Sequence, residues 1–168
     1  LPISVPKVSL VIPTRDHVGL LRMCVDSILE RSTYPDYEIL VVDNGSVEQA
    51  TLDYFAQLSR LENVRVLSYP GEFNYSAINN YAVEQAQGEV IGLVNNDIEV
   101  ISADWMEEMV AHALRPDVGA VGAMLYYPDD TIQHAGVLVG LCGVAGHIGS
   151  RQVRGSEGYF GRLLPTQE

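Results

Sequence analysis

Tyr37-Glu38-Ile39-Leu40-Val41-Val42, followed at once by Asp43-Asn44-Gly45-Ser46, is the stretch whose reading decides the fold. A short apolar run rich in β-branched residues reads as a buried strand, and the four residues after it favour turns and helix caps. The same grammar holds upstream. Val8-Ser9-Leu10-Val11-Ile12 is a second such run, closed by Pro13. Between the two, Val18, Leu21, Val25 and Ile28 recur at three- and four-residue steps with Arg22, Asp26 and Glu30 turned outward, which predicts an amphipathic helix that Asp16 could cap.

Downstream, an amphipathic helix over 47–59 leads to a strand over 64–67, and a helix over 75–87 ends at Gly88, a favoured residue just past a helix. Val90-Ile91-Gly92-Leu93-Val94 is the fourth strand, and Asn95-Asn96-Asp97 follows it directly. Beyond lie a helix over 103–114, with Met106, Met109, Val110 and Ala113 on one face, and strands over 119–127 and 136–141. From Gly143 the pattern fades into glycine and arginine, the mark of a loop or frayed end. Strand and helix alternate, so the fold class is α/β with a mainly parallel sheet, and ligands of such sheets sit beyond the carboxyl ends of the strands.

Composition narrows the partners. The 168 residues suit one domain: 1–7 reads as an interdomain linker, 8–141 as the core and 142–168 as a tail, and the opening without an initiator methionine reads as a piece of something longer. A formal net charge of −12 argues against nucleic acid as a partner. Lys7 is the only lysine, so a phosphate-bearing ligand finds few ammonium groups, and a divalent metal becomes its natural counter-charge. Cys24 and Cys142 lack metal-ligand spacing and read as buried thiols. The apolar stretch 135–148 is 14 residues long, short of the roughly 20 a membrane span requires.

The strand ends collect Pro13-Thr14-Arg15-Asp16, Asp43-Asn44-Gly45-Ser46, Gly71-Glu72-Phe73-Asn74 and Asn95-Asn96-Asp97. No Gly-x-Gly or Walker A sequence occurs, which disfavours dinucleotide-binding dehydrogenases and P-loop enzymes. Asp43 and Asp97 suit two tasks: one carboxylate accepts from a base N–H or a ribose hydroxyl, and the other ligates a hard cation held by phosphates. The plainer alternative is that each caps a turn or a helix.

Taken in order, Val-Ile-Pro-Thr-Arg-Asp at 11–16, Val-Val-Asp-Asn-Gly-Ser at 41–46, Phe-Asn-Tyr-Ser-Ala-Ile-Asn-Asn at 73–80 and Leu-Val-Asn-Asn-Asp-Ile-Glu at 93–99 resemble the family 2 glycosyltransferases of GT-A fold. Pro128-Asp129-Asp130-Thr131-Ile132-Gln133-His134-Ala135-Gly136 is similar to the bacterial branch that builds surface polysaccharide and O-antigen. The resemblance implies a Rossmann-like three-layer fold, here truncated at its C-terminal side. It implies that Pro13, Thr14 and Asp43 hold the nucleotide, with Arg15, Asp16 and Asn44 close by. Asn74 and Asn79 line the nucleotide or phosphate side, although Asn79 reads equally as an outward-facing helix residue.

By the same resemblance, Asn95-Asn96-Asp97 stands in the place of the family's Asp-x-Asp motif, with Asp97 the ligand of Mg²⁺ or Mn²⁺ and asparagine at the first position a weaker donor. The implied donor is a UDP- or dTDP-sugar, the acceptor a glycan or lipid-linked glycan, the chemistry inverting, and the location cytoplasmic, at the inner face of the membrane. The family's catalytic base falls beyond residue 168, so the fragment is expected to bind donor and to transfer poorly, with further domains of a parent chain supplying the rest. Within the chain, Asp129, Asp130 and His134 are the nearby candidates for a base. His134 and His147 read as hydrogen-bonding residues rather than metal ligands. A non-catalytic nucleotide-sugar or glycan-binding module is the alternative function. A nucleotidyltransferase is disfavoured, since its first loop would be rich in glycine and lysine.

Overall fold

The computed structural model describes residues 5–140 and 144–158 together with Leu163. Cys142, read from sequence as a buried thiol, lies outside the described residues. The chain divides into two compact units, Leu1–Ala111 and His112–Glu168, where the sequence suggests a single core over 8–141.

In the first unit, β1 (Val8–Thr14), β2 (Tyr37–Asp43), β3 (Val64–Ser68) and β4 (Val90–Leu93) form one parallel sheet in the order β3-β2-β1-β4. The helices are α1 (Val18–Arg31), α2 (Gln49–Leu58), α3 (Tyr75–Val83) and α4 (Trp105–Ala113). Strand periodicity sorts the side chains by face. Leu10, Ile12, Ile39 and Val41 pack with Leu21, Cys24, Val25 and Ile28 of α1 and with Tyr54, Phe55 and Leu58 of α2. Val11, Leu40 and Val42 point the other way, onto Ile78 and Ala82 of α3. Both faces of β1 and β2 are therefore sealed, which is why these strands are apolar almost throughout. The registers Thr14↔Asp43 and Asp43↔Ser68 bring the strand ends level.

Three local expectations change. Asp16 does not cap α1: His17 holds the cap position with no side-chain cap bond. Asp16 and His17 both have positive φ (51° and 53°), and that reversal turns the Asp16 carboxylate away from its own helix, so that its Oδ1 accepts from the Val47 and Glu48 N–H groups at 2.8 and 2.9 Å. α3 ends at Val83, before Gly88. Gly88 instead lies where the chain closes on β1: a Cβ there would fall 2.5 Å from Ser9 N and 2.7 Å from Lys7 O.

The second unit holds two antiparallel pairs: β5 (Leu125–Tyr126) with β6 (Ile132–His134), and β7 (Val137–Val139) with β8 (Ala145–His147). The strand expected over 119–127 shrinks to β5, since Gly119 and Gly122 offer no side chain to pack. β8 falls in the stretch read as a loop. Ala145-Gly146-His147 has little strand propensity, and its pairing with β7 defines it.

Candidate functional site

At the carboxyl ends of the sheet of the first unit, a cavity of about 270 Å³ brings together four segments separated in sequence. Pro13, Thr14 and Arg15 enter it from the end of β1, Asn44 from the end of β2, and Asn95, Asn96 and Asp97 from the turn after β4. Phe73, Tyr75 and Ile78, at the start of α3, complete the lining. A larger cavity of about 330 Å³ lies at the opposite strand ends, near Lys7, Asp36, Glu38, Arg65 and Gln87. Its most buried group, Glu38, is already satisfied by Ser9 Oγ (2.7 Å), Gln87 N (2.7 Å) and Arg65 Nη1 (3.2 Å), so the polar groups there serve the fold.

These segments are tied to each other. Asn96 Nδ2 donates to Thr14 Oγ1 at 3.0 Å, fastening the turn after β4 to the end of β1. Asn44 N donates to Thr14 O at 2.9 Å, and Asn44 Nδ2 donates to Gly71 O at 2.8 Å, holding the loop after β3 against β2. From below, the buried Cys24 thiol hydrogen-bonds the Asn95 carbonyl at 3.5 Å, and burial pushes that thiol up to about 12, so it stays protonated as a donor. Ser27 Oγ accepts from Val100 N at 3.0 Å, and Arg31 binds the Val100 carbonyl and the Glu99 carboxylate. Sequence reading missed these α1 supports. Helical spacing marks Cys24 and Arg31 as core and surface, and nothing local shows which loop crosses above them.

Asp43 is half-buried at the end of β2, with its Oδ1 accepting from Ser46 N at 2.8 Å. It caps this turn and does not line the cavity. Asp16 stands outside the cavity too; the Glu48 and Val47 N–H groups hold its carboxyl below the usual carboxylate range. Asn74 caps α3, its Oδ1 accepting from Ala77 N at 3.0 Å. Asn79 is neither outward-facing nor part of the lining: it is 5% exposed, with Nδ2 donating to Tyr75 O at 2.8 Å.

Among the described residues no cluster of three or more His, Cys, Asp or Glu side chains could hold a metal by itself. The Asn95-Asn96-Asp97 turn offers amide and carboxylate oxygens, the hard donors that Mg²⁺ and Mn²⁺ take, with the single exposed carboxylate of Asp97 among them. That donor set fits a cation which arrives with, and is completed by, a diphosphate.

In the second unit, Asp129 Oδ1 accepts from Thr131 N (3.1 Å) and Thr131 Oγ1 (2.6 Å), bonds that hold its carboxyl below the usual range. Arg151 lies 3.7 Å from Asp129 and stacks 3.9 Å from the Tyr127 ring centroid; Arg154 pairs with Asp130 at 3.2 Å and stacks over Tyr126. Both carboxylates are thus built into a turn and its clasp. His134 and His147 meet through their Nδ1 atoms at 2.8 Å, and burial, with the neighbouring ring, lowers the pKa of His134.

A parallel sheet covered by helices on both faces, with amide- and carboxylate-bearing turns gathered at its carboxyl ends, defines an α/β fold that binds its ligand at those ends, and likeness to solved glycosyltransferases makes it one of GT-A type. The model of the family described as glycosyl transferase family 2 matches residues 9–138, and the chain belongs to that family. It is 57% identical over 163 residues to an uncharacterized protein, y4gI, of Sinorhizobium fredii, covering 96% of this chain and 18% of that protein. It is 47% identical over 144 residues to the O-antigen biosynthesis protein RfbC of Myxococcus xanthus, covering 84% of this chain and 11% of that protein. The chain therefore spans less than a fifth of the length of these relatives.

Among solved structures, the fold is similar to the mannosyltransferase PcManGT of Pyrobaculum calidifontis in complex with GDP-Man and Mn²⁺, with a TM-score of 0.66 and 23% identity, covering 77% of this chain and 38% of that one. It is also similar to S. aureus TarS in complex with UDP, with a TM-score of 0.53 and 26% identity over 64% of this chain and 32% of that one.

Proposed function

We propose that this chain is the donor-binding part of an inverting glycosyltransferase of polysaccharide or surface-glycan synthesis, taking a nucleotide-diphosphate sugar together with Mg²⁺ or Mn²⁺. The observation that carries the reading is the single cavity in which Thr14, Asn44 and the Asn95-Asn96-Asp97 turn converge. The similarity to an O-antigen biosynthesis protein, and to glycosyltransferase structures in complex with GDP-Man and Mn²⁺ or with UDP, supports it.

In this reading Asp97 ligates the cation, with Asn95 and Asn96 beside the diphosphate. The bound metal supplies charge neutralisation for the departing nucleoside diphosphate. Arg15, at the cavity wall, adds a fixed positive charge. Pro13, Thr14 and Asn44 form the floor under the nucleoside, and Asp43, beyond the lining at the end of β2, offers the carboxylate capacity its turn leaves over to a ribose hydroxyl or base N–H that extends past the cavity. Asp16, Asn74 and Asn79 shape the loops rather than touch the ligand.

Inversion requires a base to take the acceptor proton. Asp129 and Asp130 are occupied by their turn and arginines, and we assign neither as that base. A base outside these residues fits a chain spanning less than a fifth of its relatives. We further propose a cytoplasmic location facing the membrane, where a lipid-linked acceptor is within reach.

Melting the protein with Mn²⁺ and a panel of UDP-, dTDP- and GDP-sugars tests the reading. A true donor at about a hundredfold its Kd raises the midpoint by roughly 5–10 °C, because a ligand that binds only the folded state stabilises it by mass action. No shift with any of them counts against donor binding.

A further inference from the structure

We infer that Cys24, Ser27 and Arg31, on one face of α1, are positioning residues that hold the segment 95–100 and so set where Asp97 meets the donor's cation. The inference rests on the donor-binding reading of the cavity. The segment belongs to no helix or strand, since β4 ends at Leu93 and α4 begins at Trp105. With no ladder of its own, its place depends on the groups to which its backbone is tied.

Those ties come from α1, and their spacing is helical. Positions 24, 27 and 31 follow each other at three- and four-residue steps, so they lie along one side of the helix. Cys24 Sγ binds the Asn95 carbonyl at 3.5 Å, and the Ile98 N–H faces the same sulfur. One side chain thus meets the first and last residues of the turn whose middle residues, Asn96 and Asp97, line the cavity. Ser27 Oγ donates to the Cys24 carbonyl at 2.9 Å and accepts from Val100 N at 3.0 Å, joining the helix backbone to the segment. Arg31 closes the row: Nη2 donates to the Glu99 carboxylate at 2.7 Å, and Nη1 donates to the Val100 carbonyl. The grip continues beyond, with Thr33 N donating to Ala103 O at 3.0 Å and Trp105 Nε1 to Ser32 Oγ at 2.9 Å.

The grip bears on one part of the site. Pro13 and Thr14 are held by the β1–β2 ladder, and Asn44 follows directly on β2. Asp97 instead rides on the segment that α1 holds, linked to the sheet beside it by the bond from Asn96 to Thr14. A hard cation takes a carboxylate oxygen only within a few tenths of an ångström of about 2.0–2.2 Å, so a small drift of the segment costs the metal contact while leaving the nucleoside floor in place.

Calorimetric titration of UDP in Mn²⁺ into Arg31→Ala and Cys24→Ala, each alone and each combined with Asp97→Ala, tests the inference. Losing a residue that orients a metal ligand costs about ten- to a hundredfold in affinity, so each single variant is expected to bind UDP at least about tenfold more weakly than wild type. Because both residues act through Asp97, adding either change to Asp97→Ala is expected to cost less than about twofold. Val64→Ala, a core truncation on β3 at the far edge of the sheet from β4, is expected to keep wild-type affinity and so controls for general loosening. Wild-type affinity in either single variant, an undiminished loss in the Asp97→Ala background, or an equal loss in Val64→Ala overturns the positioning role while leaving donor binding intact. If the wild-type protein binds none of UDP, dTDP or GDP, the donor-binding reading fails and this inference fails with it.

Discussion

Glu38 shows how one residue sets the behaviour of a whole edge of the sheet. Burial works against its charge, but hydrogen bonds from Ser9, the Gln87 N–H and Arg65 outweigh that and hold its pKa below the ordinary glutamate range. A carboxyl whose folded pKa is lowered adds stability that is present above its unfolded pKa and is lost as the pH falls through the folded one. Glu38→Gln sets an NH₂ group among these donors, so we expect a loss of about 1–3 kcal/mol at pH 7. Urea unfolding at pH 7 and near pH 4 checks it: the gap between variant and wild type narrows in acid, and a gap of constant size contradicts the assignment. Asp43 and Asp97 illustrate the opposite case. Their positions at strand ends are legible from sequence because a carboxylate directly after an apolar run stands out. Their orientations are not: which oxygen caps Ser46 N, and that Asp97 rather than Asp43 lines the cavity, depends on turn geometry.

At the scale of elements, β1 to β4 and the four helices follow from periodicity, and their ends are where reading fails. Asp16 looks like a helix cap because it precedes α1, yet two left-handed residues redirect it to the loop before α2, a contact 31 residues away that no local rule contains. Gly88 looks like a helix terminator, but close approach of backbones dictates it. Gly88→Ala would push a Cβ into Ser9 N and Lys7 O, and since both are backbone, the strand itself must shift. We expect a cost of about 1–3 kcal/mol, seen as a fall in melting midpoint of roughly 2–9 °C by calorimetry. An unchanged midpoint would show that the turn before β4 relaxes freely. The β7–β8 hairpin escaped reading for a different reason: its second strand takes its conformation from its partner rather than from its own residues.

For the molecule as a whole, the first unit carries the sheet and the converging strand ends, and the second carries the Asp129–Arg151 and Asp130–Arg154 clasp and the histidine pair. The net charge of −12 with Lys7 as the only lysine makes a diphosphate a poor guest unless a cation comes with it. That charge balance was plain in the sequence; that the described residues supply no three-residue metal cluster was not. Donor and metal are thus proposed to bind as one unit, hinged on Asp97. The most direct measurement is calorimetric titration of UDP, in Mn²⁺ and in chelator, into wild type and Asp97→Ala. The account predicts binding by the wild type that requires Mn²⁺, and at least a tenfold loss in Asp97→Ala with the fold intact; equal UDP affinity in the two proteins in Mn²⁺ would contradict it.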